Sequence, residues 1–181
     1  MAQKIEKTFS VPEPLDKVWA FLSDARKVAP CVQGASITEQ VDDKTYKGAI
    51  SVKVGPTVTD YKGELQFVRL DSQNHEIEIL GKGQDVRGRG SASMKMSGKL
   101  RTLPNGDTEV ISVSEISVVG ILAQMGGRVI SEVSNIMFAE FMKNFQARLQ
   151  QPDAPAESEA KPIKATSLAW EATKGLFRGK S

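Results

Sequence analysis

The sequence predicts an α+β domain in which a curved antiparallel sheet holds one long C-terminal helix. Three observations lead to this. From Ala35 to Val118 apolar and polar residues alternate with period two almost throughout. Short turn signals separate the strand-like stretches, so consecutive strands pair as antiparallel neighbours. Finally, Gly120 to Gln150 is the only segment long enough for a major helix, and the composition changes abruptly after it.

Each element has its own local reason. Residues 3–11 alternate Ile5, Phe9 and Val11 against Lys4, Glu6, Thr8 and Ser10, which predicts a first strand ended by Pro12. Pro14 suits the first turn of a helix, and Leu15, Val18, Trp19 and Leu22 give that helix one apolar face. Ser23 and Asp24 can cap a second short helix through Val28, which stops before Pro30. Six strands follow over 35–41, 44–54, 57–70, 74–83, 87–102 and 108–118, making seven with the first. Their breaks fall at Asp42-Asp43, Gly55-Pro56, Asp71-Ser72, Gln84-Asp85 and Pro104 to Asp107, all turn-forming sequence.

In the long helix, Leu122, Met125, Val129, Val133 and Ile136 follow the i, i+3, i+4 spacing of one buried face. The apolar side then shifts to Phe138, Phe141, Phe145 and Leu149. Gly126 and Gly127 sit in the first third, where each glycine costs about 1 kcal/mol of helix propensity. The expectation is a lid over Leu122 to Val133, able to flex at the glycine pair, and a fixed anchor over Phe138 to Leu149.

At Gln151 the chain changes character. Residues 1–150 form the expected ligand-binding domain, and 151–165, rich in Pro, Ala and Glu, form a flexible linker. Residues 166–181 regain a helical pattern as an amphipathic, basic tail. From Lys161 onward, Lys161, Lys164, Lys174, Arg178 and Lys180 face only Glu171. Leu168, Trp170, Lys174, Leu176, Phe177 and Arg178 are the expected membrane contacts, because an apolar face flanked by cations suits an anionic bilayer surface. Docking on a partner protein or on its own domain, or simple disorder, competes with that reading.

Composition excludes several classes. A net charge of +2 argues against a nucleic-acid binder. The single cysteine, Cys31, permits no internal disulfide, is expected as a buried structural thiol, and fits a reducing cytoplasm. No leader-like segment opens the chain, and no apolar run approaches the ~20 residues of a membrane span. The lone histidine, His75, rules out multi-histidine metal sites and is expected as a solvated turn residue. No phosphate-binding glycine loop, nucleophile–histidine pair or inward carboxylate pair appears, so no catalytic residue and no metal or covalent cofactor is expected.

The strand faces carry the functional signal. Tyr46, Gly48, Ile50, Val52 and Val54 share one face, as do Thr59, Tyr61, Gly63, Leu65 and Phe67. So do Ile77, Ile79, Gly81 and Gly83; Gly90 through Leu100 at even positions; and Val110, Ser112, Ser114, Ile116 and Val118. Interiors pack at a density of about 0.75, and the many Gly, Ala and Ser residues supply little volume. A hollow beneath the helix follows, suited to a bulky apolar ligand with few polar contacts. Glycines in curved strands also simply permit coiling, and both readings stand at this point. The candidate lining is Leu22, Tyr46, Ile50, Val52, Tyr61, Leu65, Phe67, Ile79, Met94, Met96, Leu122, Met125, Val129 and Val133.

An ordered set of short motifs adds a family. It comprises Asp24 through Ala35 (DARKVAPCVQGA), Tyr46-Lys47-Gly48, Val52 through Pro56, Tyr61-Lys62-Gly63, Gly81 through Asp85 and Gly120 through Arg128. The chain resembles the CoxG family of carbon monoxide dehydrogenase subunits, within the START-like (SRPBCC, helix-grip) superfamily. Val32-Gln33-Gly34 departs from the Leu-Pro-Gly common in the family. The resemblance implies a seven-stranded helix-grip sheet with two short helices after strand 1 and an apolar cavity. It also implies work beside a molybdenum-containing carbon monoxide dehydrogenase. The expected function is carriage of a respiratory, isoprenoid quinone between the inner face of the cytoplasmic membrane and that enzyme. A ligand-free tether or maturation factor is the alternative, and a polyketide-cyclase-like enzyme, with Tyr46, Tyr61, Ser112 and Ser114 as its polar candidates, a remote one.

Overall fold

The structure, a computed structural model, describes residues 2–150 together with Ile163 and Lys164. Strand β1 (Ala2–Val11) leads into helices α1 (Leu15–Leu22) and α2 (Ala25–Val28) and a 3-10 turn, Ala29–Cys31. Six strands follow: β2 (Ala35–Gln40), β3 (Thr45–Val54), β4 (Thr57–Asp71), β5 (Glu76–Asp85), β6 (Gly90–Thr102) and β7 (Thr108–Gly120). A second 3-10 turn, Ala123–Met125, precedes helix α3 (Gly127–Gln150). The strands lie in the order β1-β7-β6-β5-β4-β3-β2, antiparallel throughout this path. The expected α+β sheet and helix are therefore present.

The turn chemistry acts as the sequence suggests. At the β4–β5 turn, the Asp71 carboxylate accepts from the backbone N–H groups of Gln73 and Asn74 and from the Asn74 amide. At α2, Asp24 is the cap and accepts from the Arg26 N–H, whereas Ser23 closes α1 and donates to the Trp19 carbonyl. The sheet curls where its strands crowd. A Cβ on Gly63 would lie 1.7 Å from the Lys82 carbonyl oxygen, so only glycine permits that approach of β4 to β5. A register shift between Phe67 and Arg69 leaves Val68 exposed and bends β4 further.

Two expectations need correction. The long helix begins at Gly127 rather than Gly120: β7 continues to Gly120, and Gly126 has φ 93°, a left-handed backbone that cannot continue a right-handed helix. Leu122 and Met125 thus belong to the connection, and the helix-propensity cost expected for Gly126 does not arise. His75 is a turn residue, with φ 54°, but not a solvated one. It is half-buried, its ring edge-on to Trp19 at 5.2 Å between centroids.

The core gathers under the second half of α3. Phe145 is fully buried, stacked on Phe141 at 5.5 Å and meeting Phe9 and Phe21 at 6.3 and 5.2 Å. Val11, Val18, Leu100, Val110, Leu149 and Cys31 complete this cluster. Lys7, on the inner face of β1, donates to the Asn135 side chain and lies over the Phe138 ring, so its stem serves packing and its charge stays satisfied. Cys31 is the expected buried thiol, its pKa pushed up to about 11 by burial. In the segment expected as linker, Ile163 and Lys164 form β8, paired in parallel with Val52 and Lys53.

Candidate functional site: the inner face of the sheet

A second apolar cluster occupies the middle of the inner face. Ala25, Tyr46, Phe67, Ile77 and Ile79 are buried, with Trp19, Leu22, Leu65, Met94 and Met96 packed against them. Seven of the residues expected to line a cavity are therefore brought together: Leu22, Tyr46, Leu65, Phe67, Ile79, Met94 and Met96. The cross-strand register explains this, since Leu65 faces Gly81, Gly81 faces Met94 and Ile79 faces Met96 across β4, β5 and β6.

The remaining candidates divide. Val52 and Tyr61 are buried further along the sheet, and Ile50 is the cross-strand partner of Tyr61. Val129 and Val133 lie on the first half of α3 and Leu122 and Met125 on its approach, all partly exposed. Ile130, which the spacing did not select, is the buried residue of that half. The six tail residues Leu168, Trp170, Lys174, Leu176, Phe177 and Arg178 lie outside the described residues.

Inner-face residues that would be fully covered in a solid core retain part of their surface. Ile50, Leu65, Met94, Met96 and Ile116 on the sheet, and Val129, Val133 and Ile136 on α3, are all partly exposed. Helix α3 packs against β1, α1 and the 29–31 turn, at one side of the sheet. Apolar surface on the inner sheet face and on the first half of α3 therefore stays partly open. A separate depression of about 300 Å³ is lined chiefly by Leu80, Lys82, Ser93, Lys95, Glu115 and Ser117, which alternate away from the helix. That depression opens on the charged outer face, reaches Met94 and Ile116 between the strands, and has no aromatic lining.

The inner face also carries polar groups at one end. Asp85 stands opposite Tyr61 in the β4–β5 register, on the same side as Ile77, Ile79, Gly81 and Gly83. Its buried carboxylate accepts from Arg89 through the backbone N–H at 2.9 Å, Nε at 3.0 Å and Nη2 at 3.3 Å. These bonds, the side-chain ones foremost, hold Asp85 at a pKa of about 2, against the opposing effect of desolvation. Arg89 Nη2 also donates to the Val58 carbonyl, and the Arg89 carbonyl accepts from the Ile121 N–H. One residue thus ties the β3–β4 hairpin and the β5–β6 turn to the connection entering α3. Beside this pair, the Tyr61 hydroxyl is buried and without a hydrogen-bond partner among the described residues. The neighbouring Thr59 hydroxyl donates to the Val52 carbonyl at 3.3 Å; it lies close enough to the Tyr61 hydroxyl to oppose slightly the rise in its pKa, but not in hydrogen-bond geometry with it. Placing the β5 break at Gln84-Asp85 hid this site; the parity of Asp85 with the inner residues, and an arginine four residues on, were the signals available. Tyr46 differs: its hydroxyl accepts from the Gln40 amide at 3.5 Å.

Comparison with known proteins agrees with this architecture. The family model of the CoxG subunit of carbon monoxide dehydrogenase matches residues 8–150, from the first strand to the end of α3. The chain belongs to the CoxG family. No curated protein matches it. Among solved structures it is similar to a conserved protein from Geobacillus kaustophilus, at TM-score 0.74 and 17% identity, over 82% of this chain and 96% of that one. It is also similar to an aromatase/cyclase from Streptomyces (TM-score 0.57, 13% identity, 87% and 99% covered) and a START superfamily protein from Mycobacterium smegmatis (0.56, 12%, 82% and 98%). At these identities the likeness shows a START-like fold and nothing finer. Family membership ties the chain to the carbon monoxide dehydrogenase system. Among the described residues, no helix is long and apolar enough to cross a membrane, and no group of three His, Cys, Asp or Glu residues could hold a metal.

Proposed function

We propose that this CoxG-family chain binds a respiratory quinone in the hollow between the inner sheet face and the first half of α3. It carries that quinone between the inner face of the cytoplasmic membrane and a molybdenum-containing carbon monoxide dehydrogenase. The observation that carries the reading is the partly exposed apolar surface of Ile50, Leu65, Met94, Met96 and Ile116 on the sheet, together with that of Val129 and Val133 on α3. Apolar surface left uncovered inside a domain is costly, about 25 cal/mol per Å², unless a ligand covers it. Methionines suit an irregular, exchangeable apolar guest because their side chains repack readily.

Family membership supplies the partner enzyme, and an enzyme that oxidises its substrate must pass electrons onward, for which a membrane quinone is a chemically suited acceptor. The basic tail residues, from Leu168 to Arg178, provide the membrane contact, with about 1 kcal/mol per cation at an anionic surface. In the test, the full chain is incubated with anionic vesicles loaded with an isoprenoid quinone and separated from them by flotation. Quinone recovered in the protein fraction in near-stoichiometric amount is the expected result. Recovery no greater than with a non-binding control protein refutes the carrier reading.

A further inference from the structure

The polar end of the inner face supplies what the hollow otherwise lacks, a means of orienting its guest. The Tyr61 hydroxyl is sealed from water and unpartnered among the described residues, and the Tyr61 residue as a whole is 4% exposed. A buried hydroxyl without a partner costs about 1–3 kcal/mol and is retained where something completes it. Burial foremost, then the neighbouring Asp85 charge, raises its pKa against the smaller opposing effects of Thr59 and Arg89, so at neutral pH it is a protonated donor. Beside it, Arg89 is fixed by Asp85 and Val58 through Nε and Nη2, while one third of its side chain remains open. A guanidinium has five N–H donors, and among the described residues those bonds leave Nη1 in hand. Because Asp85 is already occupied by three bonds from Arg89, the group as a whole offers donors to a newcomer rather than acceptors.

We propose that Tyr61 Oη and the Arg89 guanidinium receive an acceptor oxygen, such as a carbonyl, on the head of the ligand bound in the hollow. This rests on the proposed carrier reading and adds a direction to it. The head lies at the 85–89 turn, and the apolar tail runs along the row Gly83, Gly81 and Met94 toward Met96, following the β5–β6 register. Arg89 has a second part in this arrangement. Its carbonyl holds the Ile121 N–H at 2.9 Å, so the residue that meets the ligand head also ties down the connection leading to Gly126 and α3. A ligand without an acceptor oxygen fills the same apolar row but gains nothing from Tyr61.

The test titrates the full chain with two probes: a decyl-substituted benzoquinone and the decyl-substituted benzene that lacks its carbonyls. Wild type is compared with Tyr61→Phe, with urea unfolding of both chains as a control. Among the described residues the hydroxyl makes no hydrogen bond of good geometry, so Tyr61→Phe leaves unliganded stability nearly unchanged. A hydrogen bond from it to the probe predicts a roughly tenfold loss of quinone affinity in the variant, with the benzene probe binding both chains equally. Arg89→Lys, which retains the charge but not the planar fork, is expected to weaken quinone binding in the same selective way. The proposal is overturned if Tyr61→Phe binds the quinone as tightly as wild type, or if it loses affinity for both probes alike. If wild type binds neither probe, the carrier reading itself fails and the subsite fails with it.

Discussion

Gly81→Leu separates a hollow from a packed interior by the sign of its effect. Gly81 lies on the inner face of β5, between Leu65 and Met94. A Cβ built there would stand 3.7 Å from Met94 Cε, 3.9 Å from Met94 Cβ and 4.0 Å from the Glu64 carbonyl oxygen, all ordinary contacts. No backbone shift is therefore needed to begin the side chain. The four added carbons cover apolar surface at about 0.8 kcal/mol each, and replacing a strand glycine adds about 0.5–1 kcal/mol. Fixing the leucine rotamer takes back about 0.5–1 kcal/mol. With incomplete burial, a net stabilisation of about 1–2 kcal/mol remains. At urea m-values of about 1–3 kcal/mol/M, the midpoint should rise by about 0.5–1 M while quinone binding is lost. Overpacking a solid core instead costs about 1–3 kcal/mol. A midpoint that falls would refute the reasoning.

Other perturbations read other parts of the fold. Phe145→Ala, at a fully buried ring bounded by Phe9, Phe21 and Phe141, should lower stability by about 3–5 kcal/mol in urea unfolding. Asp85, held at about 2 in the folded chain by Arg89, contributes stability that is present above its ordinary value near 3.8 and lost as pH falls toward 2. Asp71 shares that window through its turn bonds, so Asp85→Asn should make the acid loss between pH 4 and 2 shallower without abolishing it. Cys31, buried and with its pKa at about 11, should react with an aromatic disulfide reagent at pH 8 only on the timescale of unfolding, and at once in urea. Removing residues 166–181 should abolish co-sedimentation with anionic vesicles while leaving the urea midpoint unchanged.

The sheet was legible because its inner face is written with period two from Ile37 to Val118, and its turns are written in Asp, Asn, Gly and Pro. The phenylalanine anchor was legible for the same kind of reason: Phe138, Phe141, Phe145 and Leu149 repeat at helical spacing, and the core forms on them. The start of α3 was not. Leu122 and Met125 continue the apolar spacing backward into a connection, and only the left-handed backbone at Gly126 stops the helix there. Periodicity cannot register a single φ angle. The polar end of the site was missed through a boundary placed too early: a break at Gln84-Asp85 turns Asp85 into an ordinary loop carboxylate. With β5 extended to Asp85 its side chain faces inward, and Arg89, Tyr61 and Val58 become its surroundings. The surroundings of the Tyr61 hydroxyl bring together Thr59, Asp85 and Arg89, which no local window contains.

Native mass spectrometry of the full chain, purified from its own cells without detergent, asks most directly whether the hollow holds a lipid. A bound isoprenoid quinone predicts a second charge-state series, heavier by the mass of one quinone, that collapses to the bare chain on collisional activation. A single series at the mass of the bare chain, unchanged after incubation with the extracted quinone, would contradict it.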